Sequence, residues 1–383
     1  MGKRAALASS LQDLSREDLI KMILKHEPHL ADKMSKKSKN ERVFDAESYP
    51  FRHVALKVAY FGARYQGFAS QVGLKALAAG TGPACPANTV EDHLFRAMLQ
   101  TKLILNPETC QYSRCGRTDA GVSSTGQVIA LRLRSSASKT GQEEMNYARI
   151  LNKQLPDDIR VLDWAFVKDT FSARFSCSSR LYHYYFAKKH YDSALRQVVD
   201  LDVGLMSKAA GMLVGVHDFR NFCRKDASKP DQTYVREIYQ AYTEPVPGVE
   251  SFYRFVCKGS AFLYHQIRCI MSILFMIGSG REPIEVIPEM LSALKDNVSG
   301  PVVHYELASE VPLVLYECEF KRNPDESVDW VGSGDNGYTE AHLHHLWELK
   351  QAESLIHFGL LGGKHECSDV PTGSIYYQLK KLK

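Results

Sequence analysis

Residues 112–131, YSRCGRTDAGVSSTGQVIAL, constrain this chain more than any other stretch. One carboxylate, Asp119, sits between Thr118 and the small pair Ala120-Gly121, and Ile129, Leu131 and Leu133 then follow at every second position. Period two is the signature of a strand, so the acid lies on a loop that feeds directly into a sheet. Gly116 and Gly121 let the backbone take tight or left-handed geometry on either side of the acid. Small neighbours leave room above it for a bulky substrate. Arg114 and Arg117 lie just upstream, and fixed positive charge is expected to keep Asp119 ionised at neutral pH. Such an anion suits a nucleophile or a base, and the arginines suit a polyanionic ligand. Taken alone, a Gly-rich turn with one Asp is more often a solvated loop.

Bulk properties narrow the class. A chain of 383 residues has room for about two to three domains. With 44% hydrophobic and 24% charged residues it can bury a substantial core. A net charge of +4 does not announce a nucleic-acid partner, so any RNA surface must come from local clustering of charge. The cysteine count of nine is odd and contains no CxxC pair, which argues for reduced thiols and against a disulfide framework or a zinc site. The first residues lack the apolar core of a secretory signal. The longest apolar run, Cys269–Ile277, is far short of the roughly 18 residues of a membrane span. A soluble protein of the nucleus and/or cytoplasm is expected.

Along the chain, residues 1–50 read as an extension: a short helix capped by Ser15 and Asp18, then a basic linker. Residues 51–168 form a first lobe. Val54, Leu56, Val58 and Tyr60 alternate as in a strand with one buried face, and a glycine-punctuated loop follows. Residues 72–87 look like an inserted surface loop. Thr89 with Asp92 is a second capping box opening a helix, and a helix at Tyr147–Leu155 and a strand at Ile159–Trp164 come after the acid loop. Residues 169–322 form a second lobe, with an aromatic strand through Tyr182, Tyr184 and Phe186, a helix at Ser207–Val214, strands near 233–243 and 252–258, and a last strand at 312–320. Between them Ile267, Ile270, Met271, Leu274 and Phe275 recur at helical spacing up to Gly278, and another helix starts at Pro283. Arg268 interrupts that apolar helix, so it must reach solvent or meet a carboxylate. Residues 323–383 are a polar tail ending in YYQLKKLK. The pattern predicts an α+β fold of two lobes, each with a mixed or mainly antiparallel sheet flanked by helices.

GRTDAGV followed by GQV closely resembles the signature of the TruA family of tRNA pseudouridine synthases, and the resemblance runs from about residue 52 to 321 through SARFS, RLYHYYF, GVHDFRNFC and AFLYHQIRCIM. These blocks look most like the eukaryotic branch that modifies uridines 38 and 39 of the anticodon arm. The resemblance implies the pseudouridine synthase fold, with an active-site cleft between the lobes and Asp119 as the catalytic carboxylate. It implies that Tyr182 stacks on the target base and relays a proton at C5, that Arg268 pairs with Asp119, and that Leu313 packs against the uracil. It places Arg64, Arg114, Arg117, Arg174 and Arg180 in matched blocks where their planar forks suit RNA phosphates. A homodimer acting on tRNA is implied, and neither a cofactor nor a metal is demanded, because the isomerisation has no redox change. Histidines 342, 344 and 345 have no cysteine at ligand spacing and are a weak metal signal. Ala120 departs from the lysine usual in eukaryotic members and removes one phosphate contact. The alternative is a non-catalytic tRNA-binding or tRNA-folding protein of the same fold. A nucleobase deaminase is disfavoured, since the H-x-E…P-C-x-x-C arrangement is absent.

Overall fold

The computed structural model describes residues 45, 48–71, 88–136, 144–193, 195–229, 231–292, 301, 303–320, 327–332 and 338–360. The chain divides into two compact units, Met1–Tyr49 and Pro50–Lys383. The helix expected at Ser15, the basic linker, the 72–87 insertion and the terminal YYQLKKLK lie outside the described residues.

In chain order the second unit holds β1 (Phe51–Tyr60), α1 (Val90–Gln100), β2 (Ser113–Arg114), β3 (Ser123–Arg134), α2 (Tyr147–Asn152), β4 (Ile159–Phe166), β5 (Cys177–Ala187), β6 (Lys189–Asp192), β7 (Gln197–Asp200) and α3 (Val203–Gly211). It continues with β8 (Gly215–Asp218), β9 (Val235–Pro245), β10 (Phe252–Gly259), α4 (Gln266–Gly278), α5 (Val286–Ser292), β11 (Leu313–Phe320) and α6 (Tyr338–Leu360). Nine strands make one sheet in the order β4-β1-β3-β11-β5-β10-β9-β8, with β2 paired on β3, while β6 and β7 form a separate hairpin.

Local signals explain most of these elements. Thr89 caps α1, its side chain accepting from the Asp92 amide, and Asp202 caps α3 through the Leu205 amide. Two expectations shift. β1 is buried on both faces: Val54, Leu56 and Val58 enter one core, while Ala55 packs with Val128, Ala130 and Phe171 on the other side. A strand flanked by β3 and β4 and covered twice need not alternate in burial. The helix expected at 207–214 starts earlier, at Val203, because Asp202 supplies its cap, and 215–218 become strand β8.

The α+β class holds, and the two halves share one mixed sheet. Their junction is a short parallel pairing of β3 with β11, Val314 opposite Ser123 and Leu315 opposite Ser124. Every other pairing is antiparallel. The seam is stitched by side chains, with Ser124 Oγ donating to the Leu315 carbonyl at 2.7 Å and Thr125 Oγ1 to that of Tyr316 at 3.0 Å. At Gly126 a Cβ would come within 2.3 Å of the Tyr316 carbonyl oxygen, so only glycine lets the strands approach this closely. Asp119 lies on the loop that enters this seam.

Two cores flank it. α1 and α2 bring Leu94, Phe95, Met98, Tyr147 and Leu151 against Leu56, Ile129 and Leu131. α3 and α4 bring Met206, Ile270, Met271 and Leu274 against Tyr184, Phe255 and Cys257. Among the described residues no helix is long and apolar enough to cross a membrane.

Candidate active site

The loop carrying Asp119 is fixed from three sides. Gln127 closes it from below, its Nε2 donating to the Gly116 carbonyl at 2.9 Å while its Oε1 accepts from the Gly116 amide at 3.3 Å. The Tyr60 hydroxyl meets Thr118 Oγ1 at 2.7 Å. The glycine-punctuated loop after β1 lies against it: the Phe68 amide donates to the Thr118 carbonyl and the Gly121 amide to that of Tyr65. That approach requires glycine, since a Cβ on Gly62 would sit 2.0 Å from the Val122 carbonyl oxygen. Gly121 adopts φ +81°, as expected, whereas nothing crowds Gly116, which is not needed for a left-handed turn.

Asp119 is partly buried, its side chain 32% exposed. Burial raises its carboxyl to about 6, and the positive charge of Arg268 opposes that rise. The expectation that Arg114 holds it ionised is corrected. Arg114 instead pairs with the buried Glu91, which also accepts from the Tyr112 hydroxyl and, at 2.7 Å, from the Ser70 amide. The carboxylate has a further neighbour that the sequence motifs did not single out: His265 Nε2 stands 3.6 Å from Oδ2. Burial, then Arg268 and Arg224, push this imidazole down to about 4, so it is neutral at physiological pH. His265 takes φ 61° just before α4, and Tyr264, itself 42% exposed, stacks on it at 3.7 Å between centroids. The placement of both before Arg268 in LYHQIR was the available signal.

Arg268 projects from the first turn of α4. Its expected pairing with Asp119 is indirect: Nη2 meets Glu310 Oε2 at 3.0 Å and Nε donates to the Ala308 carbonyl at 2.8 Å. A Cβ on Gly121 would approach Glu310 Cγ to 2.4 Å, so Glu310 lies across the acid loop and holds the arginine beside it. Glu310 belongs to none of the motif blocks.

Tyr182 lies on β5 opposite Leu315 of β11 and Cys257 of β10, its ring edge-on to Phe262 at 5.1 Å. Burial keeps its phenol well above the ordinary tyrosine range, and its hydroxyl has no hydrogen-bond partner among the described residues. Leu313 is buried at the start of β11, opposite Tyr184.

The arginines separate into two groups. Arg180 donates to the carbonyls of Ser260, Cys115 and Arg174, at 2.7, 3.0 and 3.2 Å, and so braces the backbone instead of facing a phosphate. Arg114 is likewise occupied by Glu91. Arg64 is exposed yet bonded to Asp158 through Nε and Nη2. Arg117 and Arg174 are exposed and have no carboxylate partner among the described residues. Arg174 lies 5.1 Å from the ring of Phe175, which is 76% exposed. A cation beside an exposed aromatic suits an RNA strand. In α6, His342 contacts Arg160 and Asp157, while His344 and His345 face Glu348.

A partly buried carboxylate at about 6 predicts a pH profile. If the anion is the active form, single-turnover rates should level off above pH 7 and fall about tenfold per unit below the inflection near 6. A rate flat from pH 5 to 8 would separate Asp119 from the chemistry.

The tRNA pseudouridine synthase family model matches residues 209–321. A human tRNA pseudouridine(38/39) synthase is 38% identical over 363 residues, covering 88% of this chain and 69% of the relative. One from Saccharomyces cerevisiae is 37% identical, covering 83% of this chain and 69% of its own length. The tRNA pseudouridine synthase A of Methanosarcina acetivorans is 30% identical across 73% of this chain and 87% of its own. Likeness of this extent, from archaeon to mammal, is inherited: the chain belongs to the tRNA pseudouridine synthase family.

Proposed function

We propose that this isomerase converts uridine to pseudouridine at positions 38 and 39 of the tRNA anticodon stem-loop, with Asp119 as its catalytic carboxylate. The reaction breaks N1–C1′, turns the uracil and forms C5–C1′, after which the C5 proton leaves and N1 gains one. A duplex base is out of reach, so the nucleotide must be flipped into the site. Asp119, set at the seam between β3 and β11, is the group for C1′ or C2′, acting as nucleophile or base. Tyr182 keeps its proton, and its unpartnered hydroxyl is available to the base at C5. Arg268 counters the burial of the carboxylate, and Leu313 offers an apolar wall.

The observation that carries this reading is the poised acid itself. A binding protein gains nothing from a partly buried carboxyl raised to about 6 beside a neutral histidine and an arginine. Identity to the human and yeast pseudouridine(38/39) synthases supports the choice of positions. The test is to map pseudouridine across total tRNA with and without the chain. Signals at 38 and 39 should vanish in its absence and return with wild type but not with Asp119→Asn. Unchanged signals would refute the assignment.

RNA grip is assigned to Arg117 and to Arg174, with Phe175 beside the latter. Arg174→Ala should lower the slope of log K against log salt by roughly one unit, and weaken all tRNAs alike. Arg180→Ala should leave that slope alone and instead lose stability, because three carbonyls lose their donor, about 1–3 kcal/mol for such a group. Equal slopes for wild type and Arg174→Ala would move the RNA track elsewhere. A homodimer is part of the proposal, with exposed Val216, Val235 and Tyr239 on β8 and β9 as available apolar surface. Light scattering should then report about twice 43.1 kDa, and a monomer at micromolar concentration would contradict it.

A further inference from the structure

Behind the active site three thiols converge. Cys115 precedes the acid loop in RCGRTD, Cys177 opens β5, and Cys318 lies in β11. Their Sγ atoms all lie within 4.8 Å of one another. Cys115 and Cys318 are buried, at 3% and 9% exposure, and Cys177 is half-buried. Among the described residues no other group of histidine, cysteine and carboxylate side chains converges in this way.

We propose that Cys115, Cys177 and Cys318 bind one thiophilic divalent cation of the zinc type. Zinc–thiolate bonds of about 2.3 Å place tetrahedral sulfurs roughly 3.8 Å apart, so the trio needs to close by only about an ångström. All three donors are sulfur, which selects against magnesium, calcium and manganese. Charge points to a divalent ion. The Arg180 guanidinium bears on all three thiols while donating to the Cys115 carbonyl. One divalent ion plus this guanidinium cancels three thiolates, whereas a monovalent ion would leave buried negative charge. The fourth position is left to water.

The ion would bolt the chain leading to Asp119 onto the paired strands β5 and β11. It sits at the same seam as the two-residue parallel pairing of β3 and β11, and its loss should loosen the acid loop. The cysteines are too far apart in sequence for any zinc motif, so spacing rules pass over them.

The test uses the full chain, untagged and purified reduced without chelator. Elemental analysis should find about one zinc per chain, and cobalt exchange should give a sulfur-to-metal charge-transfer band. Both should be lost in Cys177→Ser and Cys318→Ser and kept in Cys110→Ser. A chelator should lower the melting temperature and added zinc restore it. If the serine variants fail to fold, cobalt titration of stripped wild type decides alone. No sulfur-to-cobalt band, zinc retained in the triple serine variant, or a disulfide within the trio would each overturn the proposal.

Discussion

Asp119→Asn is expected to fold, to bind tRNA with unchanged affinity, and to form pseudouridine more slowly by on the order of 10³–10⁴, the scale on which removing an essential carboxylate acts elsewhere. The amide keeps shape and can still face His265, but it cannot supply an anion at C1′ or C2′. A second, opposite effect should accompany the loss. The folded-state value near 6 lies above the ordinary 3.8, so the folded protein holds an extra proton between those values. Wild-type stability therefore declines as pH rises from 3.8 through about 6, and the charged form remains disfavoured above it. Asparagine has no such cost. The variant should be more stable at pH 7 by about 1–2 kcal/mol, a figure reduced because a third of the side chain faces solvent. Inactive and more stable is a combination that a merely structural Asp would not give. Activity within tenfold of wild type would remove Asp119 from the chemistry, and a large loss of stability would show the carboxylate to be a scaffold.

What could be read from the residues and what could not follows from the range of each interaction. The Thr89–Asp92 cap, the alternation leading into β3 and the helical recurrence from Ile267 to Phe275 are local, and each formed where expected. The acid loop was legible because its contacts are local: Gln127 holds Gly116, and the Asp119 carbonyl accepts from the Val122 amide. Partner choice was not. The sequence offered Arg114 as the cation nearest Asp119, yet strand β2 turns it toward Glu91 of α1. Arg180 looked like an RNA contact until its three carbonyl partners were seen. Polar residues are placed by tertiary geometry, and nothing in a linear string says which of several carboxylates a buried arginine will meet. Nor does charge pattern reveal burial, which is why Asp119 was expected to be held ionised by its neighbours and is instead pushed up by desolvation.

Arg268→Met should lower the catalytic rate by on the order of 10²–10³, the scale of losing one electrostatic contact to a reacting centre, with tRNA affinity within a few-fold of wild type. The reason lies in the competition around its guanidinium. Glu310 holds Nη2 at 3.0 Å and Ala308 holds Nε at 2.8 Å, while the remaining field falls on Asp119. Without that field only desolvation acts on the carboxyl, so the inflection of the pH profile should move upward and raising the pH should recover part of the rate. Glu310→Gln should do the reverse, freeing Arg268 from its carboxylate partner and moving the inflection below that of wild type. Stability should change little in the methionine variant. The rest of α4 is apolar, methionine fills much of the arginine stem, and Glu310, 38% exposed, can be solvated once unpaired. Opposite displacements of one inflection by two substitutions would show that Arg268 works through the ionisation of Asp119. An inflection that stays put in both, with affinity collapsing in Arg268→Met, would make the arginine a phosphate contact and leave the carboxylate to be tuned by burial alone.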